Sequence, residues 1–131
     1  KRETDWGARR RGDRAQFDSH SPSTLENVTN FVYEGEGWRK LAKNPEDRSV
    51  PEKALLERLR GRLLSMYYMA GDSDGFIIYE APDAKAAATA SIAAGLPGHI
   101  RSLKTSQLYT VAETMEVMGS AGKLAFPAPK G

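Results

Sequence analysis

The chain has 131 residues, of which 40% are apolar and 27% charged, the balance of a globular domain with a hydrophobic core. It contains no cysteine and two histidines, which excludes disulfide scaffolds, thiolate catalysis, cysteine-ligated metal centres and a histidine-rich metal site. The net charge of +2 arises within residues 1–20, because acidic and basic residues balance in the rest of the chain. No apolar run approaches the ~20 residues of a membrane helix, so we expect a cytoplasmic protein. We also expect no cofactor, because the sequence contains no phosphate-binding glycine loop.

The sequence divides into an extension, one domain and a short tail. Residues 1–23 show neither helical nor strand periodicity, which predicts a charged N-terminal extension without a core of its own. Its arginine run at residues 9–11 is interspersed with acidic residues, which favours a solvated tail or a docking arm over a nucleic-acid arm. Regular patterns span residues 24–122, and residues 123–131 form a C-terminal tail that contains two prolines.

The first half of the domain predicts a strand and two helices. Residues 25–33 are typical of a strand, and a short helical stretch follows over residues 38–43. Ser49 and Glu52 have the spacing of a capping box. The leucines at positions 55, 56 and 59 then predict a helix of about three turns, which Gly61 ends.

The middle of the domain predicts an antiparallel hairpin. Residues 63–69 form a nearly continuous apolar and aromatic run, which favours a central strand covered on both faces. Residues 71–75 are typical of a turn, and residues 76–79 form the next strand. Alternation along the first of these strands places Ser65, Tyr67 and Met69 on one face of the sheet.

The last third predicts an alanine-rich helix over residues 84–94 and a polar edge strand over residues 99–109. Thr110 and Glu113 form a second capping box before a C-terminal helix. The order β-α-β-β-α-β is that of a ferredoxin-like α+β fold, a four-stranded antiparallel sheet with helices on one face. The hairpin strands are apolar on both faces, so the other face predicts a homodimer or a larger homo-oligomer packed sheet to sheet.

Four stretches together resemble the GYD-domain family, namely residues 38–48 (WRKLAKNPEDR), 61–74 (GRLLSMYYMAGDSD), 79–88 (YEAPDAKAAA) and 99–110. The resemblance implies a small bacterial or archaeal protein of the dimeric α/β-barrel group, whose members mostly have no defined function. The family usually carries Gly-x-Tyr-Asp in the hairpin, but Ser73 replaces the tyrosine here, so no role of that tyrosine carries over. Gly71 and Asp74 keep their places, and we interpret both as structural turn residues.

Candidate functional residues lie on the predicted strands. His99 is the one histidine after residue 23 and has the pKa range of a general base, although its position directly after Pro97 and Gly98 favours a loop-end histidine without a role. Ser65, Tyr67 and Arg101 are candidates to bind a small polar or aromatic molecule in a cavity at the subunit interface, which His99 would share, although Tyr67 also fits an interface core. Two functions therefore stay open. One is a small-molecule-binding or assembly domain, and the other is a cofactor-free isomerase or monooxygenase that uses Tyr67 and His99.

Two other functions are disfavoured by the same residues. The acidic turn at residues 72–75 resembles the start of a calcium loop, but residues 76–78 are apolar where oxygen ligands are needed. The strand that follows lacks the leading basic residue of an RNA-recognition motif. Because the body of the chain is also neutral, it lacks the positive charge on which RNA binding depends. We therefore expect no metal site, no membrane partner and no nucleic-acid partner.

Overall fold

A computed structural model describes residues 24–131, and the extension predicted for residues 1–23 lies outside the described residues. The elements are β1 (Leu25–Tyr33), α1 (Gly35–Lys43), α2 (Ser49–Arg58), β2 (Arg62–Tyr68), β3 (Gly75–Ala81), α3 (Ala84–Gly95), β4 (Ile100–Leu108) and α4 (Val111–Gly122). This order confirms the predicted ferredoxin-like α+β fold with an additional C-terminal helix.

The four strands form one antiparallel sheet in the order β2-β3-β1-β4. β4 is an edge strand, as its polar sequence predicts. The prediction of a central position for β2 is wrong, because β2 occupies the other edge and its last residues, Tyr67 and Tyr68, are exposed. The aromatic residues of β2 led to the prediction of an interior strand. In the structure both lie at the end of β2, where they are exposed.

One face of the sheet, here called the helix face, packs against α1, α2 and α3. On β1 this face carries Asn27, Thr29, Phe31 and Tyr33, all buried in strict alternation with half-buried neighbours. Leu56 of α2 is 1% exposed and packs into the same core. The other core residues are Ile77, Tyr79 and Ala81 of β3 and Ala87 and Ala90 of α3. The domain core therefore lies on the helix face.

The opposite face, here called the open face, carries Val28, Ser65, Tyr67, Phe76 and Ile78. Strand pairing sets Tyr67 opposite Phe76 and Ser65 opposite Ile78, so these side chains share one face. The Tyr67 and Phe76 rings lie 5.6 Å apart between centroids. None of these five residues belongs to the core formed by the described part of the chain. The open face therefore carries an apolar strip at Val28, Phe76 and Ile78, flanked by polar residues such as Asn30 and Lys104, that the described helices leave uncovered.

The helix ends agree only in part with the predicted capping boxes. At α4 the Thr110 hydroxyl accepts from the Glu113 N–H, and the Glu113 carboxylate accepts from the Thr110 N–H, which confirms that box. At α2 the predicted box is wrong, because the Asp47 carboxylate accepts from both the backbone N–H and the hydroxyl of Ser49. These two bonds hold the pKa of Asp47 below its usual value.

The C-terminal helix α4 stands apart from this packing. In the described structure it has no buried residue, and Val111, Met115 and Met118 are more than 60% exposed. The residues after it form no further helix or strand. No helix within residues 24–131 is long and apolar enough to cross a membrane.

Candidate functional site

A cavity of about 340 Å³ lies between the helix face of the sheet and the helices that cover it. Its sheet side is formed by β1, β2, β3 and β4, and its helix side by α1, α2 and α3. Alanines at positions 90, 93 and 94 of α3 line it, and their small side chains leave space that larger residues would fill. Its volume lies in the range of natural small-molecule sites.

A chain of four hydroxyl groups crosses the helix face at this cavity. The Thr29 hydroxyl of β1 donates to the Tyr79 oxygen of β3 at 3.3 Å. The same Thr29 hydroxyl lies 2.7 Å from the Thr105 hydroxyl of β4, which lies 3.0 Å from the hydroxyl of Ser91 on α3. Tyr79 is 1% exposed, so the chain ends on a buried phenol that lines the cavity.

Charged side chains line another part of the cavity. Lys40 of α1, Glu46 and Arg48 of the following connection, and Glu52 of α2 all line it. Burial raises the pKa of the Glu52 carboxyl, and the nearby Arg48 guanidinium partly offsets that increase. A half-buried carboxyl with a raised pKa in a cavity is a candidate proton donor or acceptor. The sequence pattern gave Glu52 a capping role instead.

Tyr33, the last residue of β1, also lines the cavity. Its hydroxyl lies 3.0 Å from that of Tyr68, and its ring packs edge-on against Trp38 at 5.0 Å between centroids. Burial raises the pKa of the Tyr33 phenol, and the hydrogen bond with Tyr68 raises it further. Tyr33 therefore stays neutral at physiological pH, where it can donate a hydrogen bond but not act as a phenolate.

Asp74, in the connection between β2 and β3, holds this aromatic cluster in place. Its carboxylate accepts from the Tyr33 backbone N–H at 2.8 Å and from the Trp38 indole N–H at 3.1 Å. Its own backbone N–H donates to the Phe31 carbonyl at 2.9 Å. The hairpin is thereby joined to the end of β1 and to α1. Gly71 also lies in this connection, with open space around its Cα and no left-handed φ.

His99 lines the same cavity from the connection that leads into β4. Its backbone carbonyl accepts from the Glu34 N–H at 2.8 Å. A Cβ at Gly37 would lie 2.8 Å from that carbonyl oxygen, so the start of α1 approaches His99 as closely as only glycine permits. The backbone of His99 is thus held in place, and its half-buried side chain lines the cavity from there.

The other predicted site residues do not join His99. Ser65 and Tyr67 lie on the open face, and neither lines the cavity. Arg101 is exposed and is the extra residue of a β-bulge in β4, between the pairs Val32–Ser102 and Tyr33–Ile100. β2 and β4 are opposite edges of the sheet, roughly 14 Å apart at the usual strand spacing. Within a protomer the structure therefore does not bring Tyr67, His99 and Arg101 together, and a pocket that they share across a subunit interface stays a prediction.

Sequence reasoning missed the hydroxyl chain and Glu52. A signal for the hydroxyl chain is present in β1, where Asn27 and Thr29 occupy core-facing positions that otherwise hold Phe31 and Tyr33. Buried polar residues in an apolar alternation need partners, and they mark a candidate site. Glu52 had no such signal, because its spacing from Ser49 fits a capping box.

The described residues hold no group of three or more histidine, cysteine, aspartate or glutamate side chains that could bind a metal. A family model described as the GYD domain matches residues 28–118, which is more than half of the chain. No curated protein and no solved structure shows significant similarity to it.

Proposed function

Since this chain belongs to the GYD-domain family, whose description names no activity, we propose its function from the cavity itself. We propose that the protein binds a small, largely apolar molecule between its sheet and its helices, and that it does so as a homodimer joined through the open face. The observation that carries this proposal is the cavity of about 340 Å³, whose lining is largely apolar and includes a few polar and charged side chains.

Three features support binding. Ile77, Leu103 and Met66 supply apolar contact on the sheet side, and Leu41 and Leu55 supply it from the helices. The hydroxyl chain at Tyr79 offers polar contact to an uncharged group. Arg48, Glu52 and His99 offer charged or ionisable contact at another part of the wall. A ligand with an apolar body and one or two polar groups matches this arrangement.

The binding test fills the cavity from α3. Ala94 lines the cavity, and Ala88 is exposed on the same helix, so Ala94→Phe adds a ring to the cavity and Ala88→Phe adds the same ring to the exposed surface. We expect 8-anilinonaphthalene-1-sulfonate, a fluorescent amphipathic probe, to bind the wild type and A88F alike. A94F should weaken the binding at least about tenfold, because the ring occupies the probe's volume. Equal affinity in all three proteins would refute binding in the cavity.

A second candidate function is cofactor-free acid–base catalysis in the same cavity. It is favoured by Glu52, whose pKa is raised by burial, and by His99, which lines the same cavity. The sequence-based version paired His99 with Tyr67, which lies on the other face. If a molecule retained by the purified protein is converted on incubation, Glu52→Gln or His99→Gln should slow the conversion at least about a hundredfold. Unchanged conversion in both variants would leave only binding.

A further inference from the structure

In each hydrogen bond of the hydroxyl chain, the number of available protons determines which hydroxyl donates and which accepts. Each hydroxyl carries one proton to donate. Thr29 uses its proton on the Tyr79 oxygen, so Thr105 must donate in its 2.7 Å contact with Thr29. Ser91 must then donate to Thr105 in their 3.0 Å contact. Four protons and three hydrogen bonds leave one proton over, and it belongs to Tyr79.

The remaining proton lies in a place where a partner is needed. Tyr79 is 1% exposed, and within residues 24–131 its side chain makes one hydrogen bond, which its oxygen accepts from Thr29. Its side chain lines the cavity. A buried donor without an acceptor is unfavourable, and a phenol that already accepts a hydrogen bond is the stronger donor for it.

The surroundings of Tyr79 define the acceptor. The cavity walls contributed by Ile77, Met66 and Ala90 are apolar, and the hydroxyl chain itself is neutral. Of the cationic side chains that line the cavity, Lys40 lies on α1 and Arg48 on the connection after it, and Arg48 acts on Tyr33, which lies roughly 13 Å beyond Thr29 along β1. An anion held by one neutral donor in an apolar wall would be poorly solvated, whereas a neutral carbonyl oxygen would not.

We infer that the ligand is a carbonyl compound and that Tyr79 donates its phenolic proton to the carbonyl oxygen. The inference rests on the proposed binding function and adds the class of molecule and the residue that selects it. Thr29, Thr105 and Ser91 are positioning residues, because they orient the phenol by occupying its acceptor side. The apolar body of the ligand then extends from Tyr79 into the rest of the cavity.

The test compares two probes of the same size, acetophenone and isopropylbenzene, which differ in the carbonyl group. Binding of both to the full chain is measured by NMR titration in the wild type, Tyr79→Phe and Tyr67→Phe. We expect the preference for acetophenone, expressed as the ratio of the two dissociation constants, to fall roughly three- to tenfold in Y79F. It should be unchanged in Y67F, which removes the same hydroxyl from the open face. Comparing this ratio between the wild type and each variant cancels the different hydration of the two probes, because it is the same for every protein.

The outcomes separate the inference from the function on which it rests. If neither probe binds the wild type, both the cavity site and its carbonyl preference are refuted. If both probes bind and the ratio is the same in Y79F, only the donor role of Tyr79 is refuted.

A measurement on the wild type covers the case in which Y79F does not fold. The C=O stretch of bound acetophenone should lie below its frequency in a hydrocarbon solvent, and an unshifted band would refute the hydrogen bond.

Discussion

Asp74 joins three parts of the molecule through a single side chain. Its carboxylate accepts from the Tyr33 N–H and from the Trp38 indole, and both donors lose their acceptor in Asp74→Ala. We expect this variant to lose about 2 kcal/mol of unfolding free energy, because hydrogen bonds to a charged group are among the stronger ones. Urea denaturation measures the loss. Asp72→Ala, at an exposed position in the same connection, is the control and should change stability by less than about 0.5 kcal/mol.

Glu52 should make stability depend on pH in the direction opposite to a salt-bridged carboxylate. Burial raises its pKa above the ordinary value of 4.5, so the folded state binds its proton more tightly than the unfolded state does. Stability contributed by this group is therefore highest at low pH and is lost as the pH rises through the raised pKa. Glu52→Gln mimics the protonated form and should not show this loss.

The measurement is urea denaturation of the wild type and E52Q between pH 4 and pH 7. We expect the variant to be the more stable protein at pH 7, and the difference between the two to shrink toward pH 4. Glu57→Gln changes an exposed residue of the same helix and should follow the wild type throughout. A variant less stable than the wild type at pH 7 would mean that the attraction of Arg48 outweighs burial.

The sequence predicted side-chain hydrogen-bond partners only where the two residues are close together in the chain. The Thr110–Glu113 box was identified because both partners lie within one turn. The partnership of Thr29 with Tyr79 spans fifty residues and depends on which strands are neighbours. His99 and Tyr67 were assigned to one pocket because both lie on predicted strands or at their ends. Alternation alone does not say on which face a residue beyond the strand, such as His99, will lie.

At the scale of elements, the strands and helices were predicted with small errors at their ends. β1 has the predicted bounds, and α1 begins three residues earlier than its hydrophobic residues indicate. The error at the start of α2 has a physical cause, because Asp47 is an alternative acceptor two residues before Ser49. The position of β2 in the sheet was not predictable from its composition, because an edge strand that contributes to a core is as apolar as a central one.

Helix α4 offers a separate test at this scale, because its packing within the described chain is slight. Thr110→Ala removes the hydroxyl that accepts from the Glu113 N–H and should cost the helix about 1 kcal/mol. We expect faster amide hydrogen exchange in α4 and an unchanged unfolding transition for the sheet, because no residue of α4 is buried. Thr114→Ala, which removes a hydroxyl bonded within the helix, is the control. A lower global stability in T110A would show that α4 packs on another surface.

The whole molecule is defined by the difference between its two sheet faces. The sequence predicted an uncovered face, because β2 and β3 are apolar at consecutive positions while helices are available for one side. It did not predict the cavity on the covered side. That cavity exists because α3 faces the sheet with alanines, whose side chains are too small to fill the space. An alanine-rich helix can also pack close to a sheet without a cavity, and the distance between helix and sheet cannot be read from the sequence.

The proposed dimer can be tested at the centre of the open face. Ile78 lies between Val28 of β1 and Ser65 of β2, so a lysine there would stand in the middle of the joined sheets. We expect Ile78→Lys to raise the dissociation constant of the dimer on the order of a hundredfold or more, because the interface would bury an unpaired charge. In a monomer the same lysine would reach water, so the fold should persist.

Native mass spectrometry at micromolar concentration should give a dimer for the wild type and a monomer for I78K. The control is Ile92→Lys, whose position on α3 is 67% exposed and which should remain a dimer. A monomeric wild type would refute the dimer and leave the cavity as a site formed by one chain alone.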